Sequence, residues 1–450
     1  MRLTTPPLLL LSTLGTQTFA FLNPDTEQHP LAHHQHDNVL NGLDRVASDD
    51  DVPSYRVPLL SLHRALVDVP SISGTENDAA FLLGQALTEL NYTVSLQPLP
   101  STSTTENPNP QPRYNVLAWP GRDARRTLHN RTLITSHIDV VPPYLPYALD
   151  HTPIPPSHPV NFTTLPATTL VSGRGSVDAK ASVAAQITAT TLLLTSNTIP
   201  PESIVLLYVV GEETSGDGMK HFSQTLTTGH PPSDDAPANP TPQFHAAVFG
   251  EPTDNRLACG HKGITTGTLT ATGRAGHSGY PWLGRSATAG LVHALEALLA
   301  ADLGSSERYG NTTVNVGVLE GGVAANVIAA EASARLAVRI AVGERRTGRG
   351  VVEGRMRDVL AGVEGGEGLG LELTGGYGPV ECRCEVEGFE TMVANYGTDV
   401  PNLEGEHVSY LYGPGSILVE HGDDEGLTIG DLEESVEGYK RLIKYAVEAS

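Results

Sequence analysis

Three short stretches of the chain end a predicted buried strand with side chains that can bind metal or move protons. The segment LITSHIDVVP, residues 133–142, carries His137 directly after four residues that suit a buried strand, and Asp139 two places on. Glu212 and Glu213 follow the run IVLLYVVG in the same way, and Glu251 follows HAAVFG. Imidazole and carboxylate groups act as zinc ligands and as general bases, so these residue types indicate metal-assisted or acid–base chemistry.

Two further residues fit the same pattern. His421 follows the run SILVE, and Asp178 lies in the glycine-containing turn GRGSVDAK before a predicted helix. Side chains at the carboxyl ends of parallel strands meet at one edge of the sheet, and acidic groups buried there need a partner or a metal ion. Nitrogen and oxygen donors together suit zinc. Two ions can share one aspartate, which leaves Glu212 free to act as a base.

Each of these motifs also has an ordinary structural explanation. A histidine at a strand end often bonds a nearby carboxylate, and paired glutamates often lie in a solvated loop. Only the combination of two histidines with several carboxylates at predicted strand ends makes the metal site the better interpretation.

The elements that would position these residues alternate between strand and helix. TLITSH, IVLLYVV, HAAVFG and SILVEHG are predicted strands, and helices are predicted from Ala181 and over DLEESVEGYKRLIKYAVEA. This alternation predicts an α/β fold with a mostly parallel sheet. The section from Gly260 to Tyr377 instead gives the order β-α-β-β-α-β, which is typical of a small separate unit inserted into the larger one.

The predicted organisation has five parts. A signal peptide over 1–20 has an Arg near its start and a Leu-rich middle, and residues 21–52 are polar enough to form a disordered leader or pro-segment. The catalytic domain covers 53–259 and resumes over 378–450, and the inserted lid covers 260–377.

Composition excludes some partners and favours secretion. The chain has 450 residues with 28 Lys+Arg and 51 Asp+Glu, which give a formal net charge of −23. So acidic a chain is not expected to bind nucleic acid or an anionic membrane. With the signal peptide, four glycosylation motifs predict a secreted, extracellular glycoprotein. Their acceptor residues are Asn91, Asn130, Asn161 and Asn311.

Only three cysteines occur, so the chain is not a disulfide scaffold. At most one bridge can form, between Cys259 and either Cys382 or Cys384, and a chain with no bridge is an equally good interpretation.

The ordered motifs resemble those of a known family. SHIDVVP, GRGSVDAK, VVGEETSG, FGEPT, GRAGHSGYP and GPGSILVEHGDDE are similar to the motifs of the aminoacylase, acetylornithine deacetylase and glutamate carboxypeptidase family of di-zinc hydrolases. The resemblance covers nearly all of the chain after the predicted leader. It implies an α/β zinc-peptidase domain with an inserted lid that also serves for dimerisation.

The resemblance also implies a role for individual residues. Asp139 would orient the ring of His137, and Glu212 would be the general base toward a metal-activated water. A cis peptide bond is expected between Asp178 and Ala179. Two zinc ions per subunit are implied, one held by His137 and Glu251, the other by Glu213 and His421, with Asp178 bridging them.

Three lid residues have implied roles toward the substrate. His277, in GRAGHSGYP, matches the family histidine that stabilises the oxyanion, although without the resemblance it would be taken as a surface histidine. Asn326 matches a substrate-contacting position, and Arg339 either pairs with a substrate carboxylate or is a solvated edge residue. In the family, a lid of this size places its histidine in the partner's active site, so a homodimer is expected.

Several functions remain open. A carboxypeptidase acting on peptides is favoured because secretion suits peptides outside the cell. The alternatives are an acylase acting on N-acylated amino acids and an aminopeptidase or dipeptidase, although Glu251 in place of aspartate resembles the deacylase branch and disfavours the aminopeptidase branch. A non-enzymatic, metal-stabilised binding glycoprotein is disfavoured because every ligand and the base are present. The two unexpected residues Ala179-Lys180 and the long Pro-rich segment after His137 leave the substrate open.

Overall fold

The computed structural model describes residues 52–100, 111–227, 244–364 and 366–449. The predicted signal peptide and residues 21–51 of the predicted leader lie outside the described residues. Among the helices that are described, none is long and apolar enough to span a membrane.

A nine-stranded mixed sheet forms the centre of the larger domain. Its central strands are continuous apolar runs buried on both faces, as expected for parallel strands covered by helices. The strands that precede the small domain are β1 (Tyr92–Pro98), β2 (Tyr114–Pro120), β3 (Thr132–His137), β4 (Ile204–Val209), β5 (Ala246–Gly250) and β6 (Leu257–His261). β3 pairs in parallel with both β4 and β5, whereas β1, β2 and β4 pair antiparallel in that order.

Four helices belong to the same stretch of chain, namely α1 (Arg56–Asp68), α2 (Asn77–Glu89), α3 (Lys180–Thr195) and α4 (Asp217–Thr227). α3 is buried along most of its length because its Ala, Ser and Thr side chains are small enough to pack against the sheet and against α1. Gln186 of this helix donates from Nε2 to the carbonyl of Thr135 in β3 at 2.9 Å, which ties the helix to the sheet.

The inserted section folds into the predicted β-α-β-β-α-β order. Its elements are β7 (Gly263–Thr272), α5 (Ala287–Ala300), β8 (Thr313–Gly321), β9 (Glu331–Ile340), α6 (Gly348–Ala361) and β10 (Leu369–Tyr377). The four strands form an antiparallel sheet in the order β8-β9-β7-β10. Alternate residues of β7 and β9 point inward and pack against the two helices in a hydrophobic core of their own.

The chain then returns to the large sheet through β11 (Val380–Glu381), β12 (Thr391–Ala394) and β13 (Val408–Tyr412), and it ends with α7 (Ile429–Glu448). β13 pairs in parallel with β5, and β6 and β11 complete that side of the sheet. α7 packs on α3 and begins at Thr428, where the side chains of Thr428 and Asp431 each accept from the other residue's backbone N–H in a capping box.

The prediction of a strand over SILVEHG is wrong. This segment forms turns, and the last parallel strand of the sheet is β13, which lies earlier in the chain. Gly415 has φ +77° and His421 has φ +60°, and left-handed residues do not continue a strand. Leu418, in the middle of the apolar run, is 89% exposed, so the run does not mark a core element here.

A disulfide joins Cys259 of β6 to Cys384, just after β11. Cys382 keeps a free thiol and is buried. The structure thus chooses one of the pairings that the sequence left open.

Candidate metal centre and active site

Most of the predicted site residues lie at one edge of the large sheet. β3 ends at His137, Glu251 directly follows β5, and Glu212 with Glu213 lie in the turn after β4. Because β3 is parallel to both β4 and β5, their carboxyl ends fall side by side, as the sequence predicts.

Asp178 lies between two histidines that come from opposite sides of the site. Its Oδ1 is 2.9 Å from Nε2 of His137, and its Oδ2 is 3.4 Å from Nε2 of His421. On the first side, Oε2 of Glu251 is 4.0 Å from the same nitrogen of His137. On the second side, Oε2 of Glu213 is 2.9 Å from Nε2 of His421. The five predicted ligands therefore form two groups that share one aspartate.

The donor set fits two divalent metal ions. Burial raises the pKa of the Glu251 carboxyl well above its usual range and also raises the pKa of Glu213. Hydrogen bonds to Asp178 and Glu213 raise the pKa of the His421 imidazole to about 10. Crowded, buried carboxylates of this kind favour positive charge among them, and mixed imidazole and carboxylate donors suit zinc and similar ions. Donor atoms of His137, Asp178 and Glu251, and of Asp178, Glu420 and His421, lie within 4.8 Å of one another in each group.

The Asp139 carboxylate is buried beneath the site and holds the turn that carries the two glutamates. Its Oδ1 accepts from the backbone N–H of Glu212 at 3.1 Å, and its Oδ2 accepts from that of Glu213 at 3.2 Å and from Oγ of Ser73 at 2.7 Å. Oδ1 is also 3.5 Å from Nδ1 of His137, although the backbone carbonyl of Asp139 is closer to that nitrogen, at 3.0 Å. Burial opposes ionisation of Asp139, but contacts with His137 and Ser73 lower its pKa below the usual value.

Glu212 has the environment of a proton acceptor and donor. Burial raises the pKa of its carboxyl well above the usual range. The negative charge of Asp399 adds to this rise, whereas His137 opposes it. A raised pKa makes this carboxyl a stronger proton acceptor than an ordinary glutamate.

The structure confirms the expected cis peptide bond between Asp178 and Ala179.

His277 and Asn326 lie close together on the small domain. His277 is exposed and sits opposite Val327 in a two-stranded ladder formed by Gly276–His277 and Val327–Ile328. The carbonyl of Asn326 accepts from the backbone N–H of Ser278 at 3.0 Å, so the fold brings the predicted oxyanion and substrate residues together. Throughout the described ranges, no hydrogen bond or ion pair joins His277 to the metal cluster.

Arg339 is half-buried in β9, opposite Ile264 of β7 and Thr313 of β8. Burial lowers the pKa of the nearby His261 to about 4, and the charge of Arg339 contributes to that shift. This strand therefore brings a guanidinium to the junction between the small domain and the large sheet.

The sequence analysis missed several groups that surround the cluster. Glu420 precedes His421, and burial raises its pKa to about 9. Asp399 is 5% exposed and lines a small cavity of about 10 Å³ together with His137 and Glu251. Its Oδ2 has no hydrogen-bond partner among the described residues. A third missed residue is Glu425, which binds the turn that carries Asp178. It is the last residue of GDDE, at the end of a motif that the sequence analysis had singled out.

Comparison with known proteins identifies relatives over most of the chain. A family model described as a peptidase dimerisation domain matches residues 259–349. A peptidase M20 domain-containing protein of Sordaria macrospora is 53% identical over 410 residues, which are 90% of this chain and 88% of that protein. A probable carboxypeptidase of Aspergillus oryzae is 44% identical over 408 residues, 87% of this chain and 88% of that protein.

Solved structures share the fold at low sequence identity. A tripeptidase from Staphylococcus aureus has a TM-score of 0.62 at 18% identity and covers 87% of this chain and 98% of that one. An M20 family metallo-carboxypeptidase from Sulfolobus solfataricus has a TM-score of 0.58 at 16% identity, with 87% and 99% covered. A dinuclear metal-binding M20 peptidase from Bacillus subtilis has a TM-score of 0.54 at 14% identity, with 88% and 98% covered.

Proposed function

The chain belongs to the M20 peptidase family, and on that premise we propose that it is a secreted, di-zinc carboxypeptidase that releases C-terminal amino acids from peptides. The observation that carries this proposal is the position of Asp178, whose two carboxylate oxygens face two different histidines. Each histidine has a carboxylate from another loop beside it, which makes two ligand groups around one shared residue.

The ligand assignment follows these distances. His137 and Glu251 would hold one zinc ion, and His421 and Glu213 would hold the other, with Asp178 bridging them. Asp139 would set the orientation of His137 and of the glutamate turn through the contacts described above. A bound pair of divalent ions supplies Lewis acidity that acidifies water and polarises the scissile carbonyl.

Glu212 would do the proton chemistry. Its carboxylate takes a proton from the attacking water and returns it to the leaving amide nitrogen, so the group ends each cycle in its starting state. The backbone bond from Glu212 N–H to Asp139 keeps this side chain at the edge of the cluster. His277 of the partner subunit would stabilise the oxyanion, because among the described residues of one chain no hydrogen bond or ion pair joins His277 to the cluster.

A free C-terminal carboxylate on the substrate is the feature that would distinguish a carboxypeptidase. Arg339 would bind it, since a guanidinium forms two parallel bonds to a carboxylate, and Asn326 would contact the substrate backbone. The curated relatives described as probable carboxypeptidases support this choice. An N-acyl-amino-acid deacylase is the alternative, because such a substrate presents the same carboxylate next to an amide bond.

Secretion is supported by three independent features. The N-terminal segment has the composition of a signal peptide, and a disulfide is typical of an oxidising compartment. The asparagines of all four glycosylation motifs are exposed, namely Asn91, Asn130, Asn161 and Asn311.

A homodimer is supported by the small domain. β8 is an edge strand of its sheet, and the neighbouring α5 exposes Val292 and Leu299. Unpaired edge strands with apolar neighbours favour pairing with another chain. Sedimentation analysis should give the mass of two chains.

The Glu212→Gln variant tests the catalytic part of the proposal. It should lower kcat by about 10²–10⁴-fold while the protein still binds two metal ions per subunit, because the amide cannot accept the proton. Metal content is measured by elemental analysis alongside the kinetics. Glu202→Gln, at an exposed glutamate outside the site, is the matched control and should be unchanged. Full activity in Glu212→Gln would rule out this base.

A further inference from the structure

The most deeply buried arginine–carboxylate pair in the described part of the chain is Arg174–Glu425. Nη1 of Arg174 donates to Oε2 of Glu425 at 2.6 Å, and both side chains are only 1% exposed. Removing two charges from water costs free energy that their attraction does not reliably offset, so stability alone is a poor explanation for such a pair. Its other contacts point to a role at the metal centre.

Glu425 binds the turn that carries the shared aspartate. Its Oε1 accepts from the backbone N–H groups of Val177 at 3.1 Å and Asp178 at 3.2 Å. Its backbone carbonyl accepts from Oγ of Ser176 and from the N–H of Gly173, both at 3.2 Å. Four bonds therefore fix this turn to one residue.

Arg174 binds the loop that carries His421. Nη2 donates to the carbonyl of His421 at 3.3 Å, and Nη1 donates to that of Gly422 at 3.1 Å. Nε donates to the carbonyl of Pro143 at 3.2 Å. The His421 loop consists of turns without helix or strand, so these bonds do for His421 what the strand pairing of β3 does for His137.

We infer that Arg174 and Glu425 are positioning residues that fix Asp178 and His421 relative to each other. They thereby set the affinity of the metal site formed by His421, Glu213 and Asp178. The inference rests on the di-metal centre of the proposed function. His137 and Glu251 stand at the ends of strands and make no bond to this pair, so their side of the centre should depend on it much less.

Two variants separate the halves of this arrangement. Arg174→Lys keeps a positive charge beside Glu425, but one ammonium cannot reach all the carbonyls that the planar guanidinium holds. Glu425→Gln keeps an acceptor for the Asp178 turn and places an amide donor against Arg174. Arg56→Lys is the matched control, because Arg56 forms a buried pair with Glu433 and bonds a loop carbonyl away from the cluster.

Calorimetry measures the Zn²⁺ affinity of both sites when the chelator-stripped protein is titrated with Zn²⁺. The visible spectrum of the Co²⁺-loaded protein reports the coordination of each site. Both variants should weaken the site of His421, Glu213 and Asp178 about 10–100-fold and change its part of the Co²⁺ spectrum. The site of His137, Glu251 and Asp178 keeps two ligands at strand ends and should lose clearly less affinity. Arg56→Lys should match the wild type in both measurements.

Two results would overturn the inference. One is wild-type affinity at both sites in both variants, and the other is an equal loss at both sites, which would indicate a general structural role. If the wild-type protein itself binds fewer than two ions, the di-metal centre of the proposed function fails, and the role of the pair fails with it. If Arg174→Lys does not fold, the Glu425→Gln result alone decides.

Discussion

Replacing Asp139 by Asn should destabilise the protein more than the loss of one hydrogen bond explains. The carboxylate of Asp139 is fully buried and accepts from three donors, the backbone N–H groups of Glu212 and Glu213 and the hydroxyl of Ser73. In the Asn variant one of its two oxygens becomes an NH₂ group. Each oxygen accepts from at least one backbone N–H. In either orientation of the Asn amide, its NH₂ group therefore faces a backbone N–H donor and neither has an acceptor.

The magnitude follows from these contacts. A buried donor left without an acceptor costs about 1–3 kcal/mol of the free energy of unfolding. Hydrogen bonds to an ionised acceptor are about twice as strong as neutral ones, so the remaining bonds weaken as well. Together these effects amount to about 3–5 kcal/mol for Asp139→Asn. Ser73→Ala removes a single bond and should cost about 1 kcal/mol.

Urea unfolding of the chelator-treated variants, followed by circular dichroism at neutral pH, measures the difference. Because the same turn carries Glu213, zinc affinity in Asp139→Asn should also fall about 10–100-fold. If the free energy of unfolding of Asp139→Asn lies within about 1 kcal/mol of that of Ser73→Ala, and Asp139→Asn binds zinc normally, the carboxylate does not hold this turn and the reasoning is wrong.

Three further outcomes follow from the structure. Burial lowers the pKa of both His63 and His261 to about 4, so as the pH falls the unfolded chain binds their protons before the folded chain does. The free energy of unfolding should therefore decrease from about pH 6.5 to 4. Over the same range the melting temperature of His63→Gln should fall less than that of the wild type. Cys384→Ser opens a disulfide that spans 125 residues and should lower the free energy of unfolding by about 3–5 kcal/mol, whereas Cys382→Ala should lower it clearly less; equal losses in urea unfolding would contradict this. His277→Ala should reduce kcat about 10²–10³-fold at unchanged metal content, and unaltered steady-state kinetics would remove this residue from the mechanism.

The strand ends were predictable because their signal is local. IVLLYVV is a short apolar run and TLITSH is a short run rich in β-branched residues, and both are typical of buried strands. His137 ends the second of them. The order of elements in the inserted domain was predictable for a similar reason, since its strands alternate and its helices have helical spacing.

The loop of His421 shows where local patterns fail. Its apolar run resembles a strand, but glycine and left-handed residues turn the chain, and a long-range ion pair fixes it. Arg174 and Glu425 are 251 residues apart, and no spacing rule relates them. The choice of Cys384 over Cys382 also depends on tertiary geometry, because the two cysteines are neighbours in sequence and face different environments.

The most direct test of the proposed function is a product assay by mass spectrometry on the purified, zinc-loaded protein. Its substrates are an N-blocked dipeptide with a free C-terminus, an N-acetyl amino acid and a free dipeptide, each with and without a chelator. The account predicts release of the C-terminal residue from the blocked dipeptide, and loss of that release when the chelator is present. Cleavage of the N-acetyl amino acid alone would make the protein a deacylase, and no cleavage of any substrate with two ions bound would contradict the account.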